Sequence, residues 1–144
     1  MRAALAEVPD PELPVTSIVD LGMVHGVSVT DDVIRVELLP TFVGCPALDA
    51  IESAVRDRLG AFGRPVELAF TFVVSWTSDR ISQEGLAKLR SVGVAAPISP
   101  GVEPVCPWCG SHDVVLDNLF GPTQCRSLHY CRGCRQPFEA VKRI

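Results

Sequence analysis

The sequence predicts a protein of the α+β class, with helices packed on a small mixed sheet and a second, smaller β domain at the C-terminus. Residues Val33–Leu38 alternate between apolar and polar side chains, and every even-numbered residue of Val66–Val74 is large and apolar. That period is typical of half-buried strands. Apolar residues between these two stretches recur at helical spacing, and two Cys-x-x-Cys pairs occur from Cys106 onward.

The first half of the chain predicts a β-hairpin followed by a helix. Residues 1–7 are long enough only for a short helix, and the proline-rich residues 10–14 predict a rigid surface loop. Val24–Leu38 predicts the hairpin. The helix is expected to begin at Pro46 and to stop at Gly60, because proline suits the first helical position and glycine the C-terminal end.

The sequence after residue 60 indicates a boundary between two domains. Val66–Val74 is the clearest strand of the protein, and Ser82 suits the N-cap of the helix that follows it. Residues 97–103 are rich in proline and glycine, which is typical of a linker. We therefore expect a first domain over residues 1–96 and a second domain over residues 104–144.

Composition and charge restrict the partners of the chain. The 144 residues are 47% apolar, which is enough for a packed core, and the formal net charge is −4. A negative charge predicts no general attraction to nucleic acid or to acidic membranes. Neither a signal peptide nor a membrane-spanning segment is predicted, so we expect a cytoplasmic protein.

The two cysteine pairs predict a metal site. Cys106 with Cys109 and Cys131 with Cys134 each place two thiols in a tight turn, and in a chain without a secretory signal this spacing favours metal over disulfides. Four thiolates bind Zn²⁺ tetrahedrally, and the ion would stabilise a segment too small to build its own core. We therefore predict a zinc-ribbon-like β domain with a structural zinc ion.

Alternatives remain for the metal and for its ligands. Four thiolates also suit iron–sulfur clusters. Cys125 lies between the two pairs and could replace one ligand, be an additional ligand or simply pack, and His112 and His129 are lesser alternatives. The basic residues of this domain are interleaved with acidic ones, which argues against nucleic acid as its partner.

Cys45 is predicted to lie at the N-cap of the first long helix. Free backbone N–H groups and the positive end of the helix dipole would favour its thiolate, whereas the alternative is a small buried residue in a tight loop. Cys–His catalysis is not favoured, because nothing in the pattern brings His25 to Cys45. One thiolate cannot hold a cluster, so iron binding would need a second protomer, a client cysteine, small thiols, or the carboxylates of Asp10 and Glu12.

Three motifs resemble the small domain of metal–sulfur cluster assembly factors. They are Asp10-Pro11-Glu12-Leu13-Pro14, Ile18-Val19-Asp20-Leu21-Gly22-Met23-Val24 and Thr41-Phe42-Val43-Gly44-Cys45-Pro46-Ala47. With Trp76-Thr77, Glu84-Gly85 and the cysteine-rich C-terminus, the whole chain is similar to the PaaD family. This family comprises accessory proteins of phenylacetate degradation that belong to the phenylacetyl-CoA epoxidase (oxygenase) system. The resemblance implies that Cys45 contacts iron or a nascent cluster, that Thr41 shapes its loop, and that Asp10 and Glu12 lie in the matching acidic loop.

The resemblance also implies an accessory role rather than catalysis. Such a factor would assist the assembly of iron or iron–sulfur centres in client subunits of the oxygenase during aerobic phenylacetate catabolism. Its partners would be subunits of the oxygenase complex or its reductase, and a homodimer through the sheet edge stays open. The alternatives are a stable non-catalytic subunit of that complex and, less favoured, a nucleic-acid-binding zinc-ribbon protein. A thiol-dependent enzyme comes last.

Overall fold

A computed structural model describes residues 1–41, 47–96, 102–122 and 126–142. The elements, in chain order, are α1 Arg2–Leu5, β1 Val24–Val29, β2 Ile34–Leu38, α2 Ala47–Gly60, β3 Val66–Phe70, a 3₁₀ turn Ser78–Arg80, α3 Gln83–Ser91, β4 Val94–Ala95, β5 Val114–Asn118, β6 Arg126–Cys131 and β7 Pro137–Val141. This mixture of three helices and two small sheets among the described residues confirms the predicted α+β class. No helix in the described ranges is long and apolar enough to cross a bilayer.

The first unit comprises Met1–Trp76 with Arg80–Ser82 and is built on a three-stranded sheet in the order β1-β2-β3. β1 and β2 form the predicted antiparallel hairpin, whereas β2 and β3 are parallel. Parallel neighbours need a long connection, and α2 supplies it. Along β2 buried and exposed residues alternate, so one face of the sheet lies against the core and the other faces solvent.

The core of the first unit follows from the predicted apolar pattern. Ala47, Ile51, Val55 and Leu59 are the buried residues of α2 and lie on one face at helical spacing. On the exposed face Arg56 pairs with Glu52 one turn earlier, at 3.1 Å between Nη2 and Oε1. α2 contacts both α1 and β3. The helix therefore covers the core face of the sheet.

Glycine is required at the turn before β1. Gly22 has φ +69°, and a Cβ atom there would lie 2.3 Å from the carbonyl oxygen of Arg80. The Gly22 carbonyl in turn accepts a hydrogen bond from Nε of Arg80 at 2.9 Å. The turn is also tied by Ser17 and Asp20, each of which accepts the backbone N–H of the other at 3.0 Å. These contacts make the apolar residues 18–23 a closely packed turn that leads into β1.

β3 is shorter than predicted. The strand ends at Phe70, although the alternating pattern continues to Val74. The backbone N–H of Thr71 still donates to Leu38 O at 2.8 Å, but the N–H of Val73 turns back to the hydroxyl of Thr71 at 3.3 Å. This local side-chain bond offers the backbone an alternative to the sheet. Residues after Thr71 therefore leave the strand with their apolar side chains exposed.

The second unit comprises Thr77–Asp79 with Gln83–Ile144 and holds a four-stranded sheet in the order β4-β7-β6-β5. β5, β6 and β7 are antiparallel, and β4 joins β7 in parallel. α3 contacts β4, so this unit contains more than the cysteine-rich residues. The predicted domain boundary at residue 96 stays a prediction, because compact packing and domain boundaries need not coincide.

Candidate functional site

The four paired cysteines converge on one point of the second unit. Cys106 and Cys109 lie in the turn before β5, Cys131 ends β6, and Cys134 lies in the turn before β7. The four Sγ atoms all lie within 4.8 Å of one another, and the residues are unbridged. Two of the Sγ–Sγ distances are 3.8 Å, for Cys106 and Cys134, and 3.6 Å, for Cys109 and Cys131. We call these residues the four-cysteine cluster.

The spacing of the four-cysteine cluster fits a zinc ion. A tetrahedron with Zn–S bonds of about 2.3 Å separates its sulfur atoms by roughly 3.8 Å, whereas a disulfide requires about 2.05 Å. The distances of 3.6 and 3.8 Å therefore match ligands around a shared ion. Among the described residues no other group of three or more Cys, His, Asp or Glu side chains is close enough to hold a metal. The four cysteines could thus hold the predicted zinc.

Backbone hydrogen bonds shape both cysteine turns. Gly110 N–H donates to Cys106 O at 2.9 Å, and Cys106 N–H donates to Ser111 O at 3.0 Å. In each turn a backbone N–H also points at a thiol: Trp108 N lies 3.4 Å from Cys106 Sγ, and Cys134 N lies 3.5 Å from Cys131 Sγ. Such donors stabilise thiolates, which are the form that binds metal.

Three of the four thiols, those of Cys109, Cys131 and Cys134, differ in pKa when no metal neutralises them. The backbone N–H of Cys134 lowers the pKa of Cys131 to about 7, while burial raises the pKa of Cys134 to about 12. The backbone at Ser111 lowers the pKa of Cys109, but burial and the hydrogen bond with Cys131 outweigh it and leave that pKa raised. Cys131 is therefore the first of these three thiols to ionise, and metal binding must displace protons from the other two.

His112 and His129, the alternative histidine ligands, are not part of the four-cysteine cluster. His129 lies on β6 and is 6% exposed, with Nε2 at 2.9 Å from Ser127 Oγ and its ring stacked on Phe138. Among the described residues, its Nδ1 has no hydrogen-bond partner; it lies 3.6 Å from Oε2 of Glu103. Burial lowers the pKa of His129, and the charge of Glu103 acts against this. Cys125, the other alternative ligand, lies outside the described residues.

Trp108 connects the first cysteine turn to β4 and β7, a role that the sequence analysis missed. Its indole Nε1 donates to Pro137 O at 3.2 Å. Its ring lies so close to Gly93 that a Cβ atom there would be 2.1 Å from Cζ2. Gly93 O also accepts the N–H of Glu139 at 3.1 Å, and Ala95 is buried with Cys106 and Phe138. The Cys-Pro-Trp-Cys sequence could have indicated this packing, because an aromatic residue beside a metal ligand needs a surface to pack on.

The structure describes only the flanks of the predicted Cys45 site. Residues 42–46 lie outside the described residues, so the prediction that Cys45 caps a helix stays a prediction. Before the gap, Leu39 N–H donates to Met23 O at 2.7 Å and Thr41 is half-buried. After it, α2 begins at Ala47. The two flanks are thus the carboxyl end of β2 and the start of α2.

Asp10 has a structural partner for its carboxylate. Oδ1 of Asp10 accepts the backbone N–H groups of Glu12 at 2.8 Å and Leu13 at 2.9 Å, and Asp10 is 7% exposed. The Asp10 N–H donates to Thr16 O at 3.0 Å. A side chain that accepts its own loop's N–H groups forms an Asx turn. The acidic loop is therefore fixed by Asp10, while Glu12 is half-buried.

Trp76 is a packed aromatic of the first unit. It is 5% exposed, and its indole Nε1 donates to Leu21 O at 2.7 Å. A buried tryptophan needs such an acceptor for its N–H. The neighbouring residues Phe72 and Val73 are 66% and 85% exposed. An exposed apolar stretch therefore lies between the end of β3 and an anchored tryptophan.

Comparisons with known proteins match both halves of the chain. Residues 97–142 match the family model of the PaaD zinc beta ribbon domain, and residues 1–67 match that of an iron–sulfur cluster assembly protein. A protein of Escherichia coli (strain K12), named as a subunit of a "Putative 1,2-phenylacetyl-CoA epoxidase", is 34% identical over 99% of this chain and 90% of its own length.

Two solved structures resemble part of the chain. A domain of unknown function DUF59 from Bacillus anthracis is 28% identical, with a TM-score of 0.56, and the match covers 60% of this chain and 85% of that one. A Mycobacterium tuberculosis protein described as associated with Fe-S complex assembly and repair is 32% identical, with a TM-score of 0.40, over 64% of this chain and 82% of that one. The DUF59 likeness supports the α+β fold.

Proposed function

Since the chain belongs to the PaaD family, together with its E. coli relative, we propose that it is an accessory factor in the maturation of phenylacetyl-CoA epoxidase. It would assist the assembly of iron or iron–sulfur centres in subunits of that complex or in its reductase. The observation that carries the proposal is the joining, in one chain, of an iron–sulfur assembly module over residues 1–67 and a closed four-cysteine cluster.

The four-cysteine cluster supports a structural part of this role. Four protein ligands complete the tetrahedral coordination of zinc, whereas catalytic zinc sites keep one position for water or substrate. Cys106 and Cys131 are buried, at 2% and 0% exposure, and belong to the small apolar cluster of the second unit. An ion held there would fix the cysteine turns against that cluster. The site therefore suits the stabilisation of a partner-binding unit rather than the delivery of metal.

The delivery of iron is assigned in this proposal to Cys45. The cysteine lies in the stretch between β2 and α2, within the part of the chain that matches the assembly-protein family. A thiolate at the start of α2 would gain from the free N–H groups and the dipole of that helix. One thiolate gives iron one ligand, so before transfer the other ligands would come from a second protomer, small thiols, the carboxylates of Asp10 and Glu12, or the client itself. Incoming client ligands would displace the Cys45 thiolate, which leaves the iron with the client and regenerates the factor.

A second candidate function is a stable, non-catalytic subunit of the epoxidase complex. The name of the E. coli relative, which describes that protein as an epoxidase subunit, favours this alternative. The two functions differ in stoichiometry: a subunit copurifies with active complex at a fixed ratio, whereas a maturation factor is absent from complex that is already active. Quantitative mass spectrometry of purified active complex distinguishes them.

The maturation proposal is tested by the metal content of the client proteins. The oxygenase and reductase subunits are purified from cells that carry the wild-type chain, no chain, or Cys45→Ser. Iron and sulfide per client and epoxidase activity are then measured. We expect Cys45→Ser to resemble the strain without the chain, because serine removes the thiolate and keeps nearly the same volume. Normal client iron and activity with Cys45→Ser would refute the transfer role.

A matched control separates the thiol from general damage. Ser53→Ala lies on the exposed face of α2, in the same helix that Cys45 precedes, and it removes a hydroxyl without altering the buried face. Client iron should remain at the wild-type level with this variant. The cellular amount of each variant is measured alongside, so that a loss of client iron is attributed to Cys45→Ser only where the protein is present.

A further inference from the structure

An apolar row runs along the outer edge of the sheet in the first unit. It consists of the even-numbered residues Val66, Leu68, Phe70, Phe72 and Val74. The first three share the core face with the buried residues of β2, their partners in the parallel ladder, yet they are only half-buried. Phe72 is 66% exposed and Val74 is 41% exposed. The row thus becomes more exposed beyond the end of β3.

Backbone N–H and C=O groups of this row also point away from β2, towards the outer edge of the sheet. Ile34 N–H donates to Pro65 O at 2.9 Å and Thr71 N–H donates to Leu38 O at 2.8 Å, so odd-numbered residues bond to β2. Because backbone groups alternate in direction along a strand, Leu68 and Phe70 present theirs at the outer edge, and Phe72 would do so if the strand continued. In the described part of the chain no strand pairs with that edge. Such an edge is a template for another strand.

We propose that the occupant of this edge is a second copy of the same chain, paired antiparallel through residues 66–74. A two-fold interface requires that the surface be complementary to itself. A two-fold axis at Phe70 meets this requirement. It places Phe70 opposite Phe70, Leu68 opposite Phe72, and Val66 opposite Val74, so every large apolar side chain of the row faces another.

The hydrogen-bonding pattern fits the same register. An antiparallel pair exchanges hydrogen bonds at every second residue. With the axis at Phe70, these positions are Leu68, Phe70 and Phe72. The backbone groups of the first two already point outward, and those of Phe72 would do so in a strand extended by the pairing. The carbonyl of Val66 already accepts Nη1 of Arg56 at 2.8 Å, which ends the available edge on that side. The pairing would extend β3 over the exposed residues that the alternating sequence pattern assigns to the strand.

The charges on the solvent face do not oppose the register. Glu67 is the single charged residue between Val66 and Val74, and it pairs with Arg35 of its own chain at 2.7 Å. In the proposed dimer Glu67 lies opposite Val73 of the second copy, not opposite another carboxylate. Val73 is 85% exposed, so its replacement leaves the core of one copy undisturbed. This pair of positions offers a direct test of the register.

The test measures the mass of the full-length, zinc-loaded protein by sedimentation equilibrium. Concentrations from about 1 µM to about 1 mM cover the weak interfaces expected below about 1,200 Å² of buried area. We expect the wild-type mass to rise with concentration from 15.5 kDa towards twice that value. A mass that stays at that of one chain at every concentration would overturn the proposal. It would do so even if a client protein were found to bind the same edge.

Opposite charges at Val73 decide between this register and any other dimer. Val73→Asp sets a carboxylate against Glu67 twice in each dimer and should weaken association about tenfold, whereas Val73→Lys should preserve or strengthen it. The matched changes Leu119→Asp and Leu119→Lys, at a residue of the second unit that is 54% exposed, should leave the dissociation constant unchanged. A dimer indifferent to the sign of the charge at Val73 would refute the interface. The test does not involve metal transfer, so its outcome is independent of the proposed function.

Discussion

Replacing Gly93 with alanine should destabilise the second unit more than the same change at Gly110, Gly121 or Gly133. Gly93 has φ +79°, where an L residue costs about 1–2 kcal/mol. The added Cβ would also lie 2.1 Å from Cζ2 of Trp108. Because Trp108 is 51% exposed, its ring can swing away, but it then loses the bond to Pro137 O and its packing. Overlap of this kind costs about 1–3 kcal/mol, which predicts a total of about 2–5 kcal/mol.

Gly110 provides a matched control in the same unit. It has φ +77°, but a Cβ atom there would meet nothing within 4 Å, so Gly110→Ala measures the backbone cost alone. Urea unfolding of the cobalt-substituted protein, followed by the cobalt–thiolate absorption, reports on this unit specifically. We expect Gly93→Ala to lower the free energy of unfolding by about 1–3 kcal/mol more than Gly110→Ala does. Equal effects would refute the argument that Trp108 packs on Gly93.

Three further predictions concern the acidic loop, the buried ion pair and the metal. Asp10→Asn should preserve stability because the amide oxygen can still accept the loop's N–H groups, whereas Asp10→Ala should cost about 1–2 kcal/mol by thermal unfolding. Arg126→Met should lower stability by about 1–3 kcal/mol. Arg126 contacts the part-buried Glu139 at 2.6 Å, and the variant leaves that carboxylate without this cation. A smaller loss in the double variant with Glu139→Gln would confirm that the two residues are coupled. Apparent zinc affinity should rise with pH, because at neutral pH Cys134, with a pKa of about 12, must lose its proton on binding. The dependence should steepen below about pH 7, where Cys131 is protonated too, as measured by chelator competition.

The sequence predicted those parts of the fold that local patterns determine. The β1–β2 hairpin, α2 and β3 follow from alternation and from helical spacing around Ile51, Val55 and Leu59. Each Cys-x-x-Cys turn likewise brings its own two sulfur atoms together through local spacing, whereas the meeting of the two pairs was predicted from the chemistry of a shared metal ion. In these cases a few neighbouring residues carry all the necessary information.

Contacts between residues distant in sequence could not be predicted in the same way. The hydrogen bond from Trp108 to Pro137 and the packing of Trp108 on Gly93 join three separate segments. The parallel pairing of β4 with β7 is equally distant in sequence, and β4 is only two residues long. Just beyond the early end of β3, the N–H of Val73 bonds to the hydroxyl of Thr71 rather than to the sheet. The periodicity of the sequence does not predict any of these three features, because each involves tertiary contacts or a local competing hydrogen bond.

The assignment of separate roles to the four-cysteine cluster and to Cys45 is tested most directly by the metal and acid-labile sulfide content of anaerobically purified protein. Wild type, Cys45→Ser and Cys131→Ser are compared. We predict about one zinc per chain without sulfide in wild type and in Cys45→Ser. The zinc should be lost in Cys131→Ser, because Cys131 would be one of the four ligands of a closed site. Iron with sulfide that disappears in Cys45→Ser would contradict the account, because it would make Cys45 a ligand of a resident cluster.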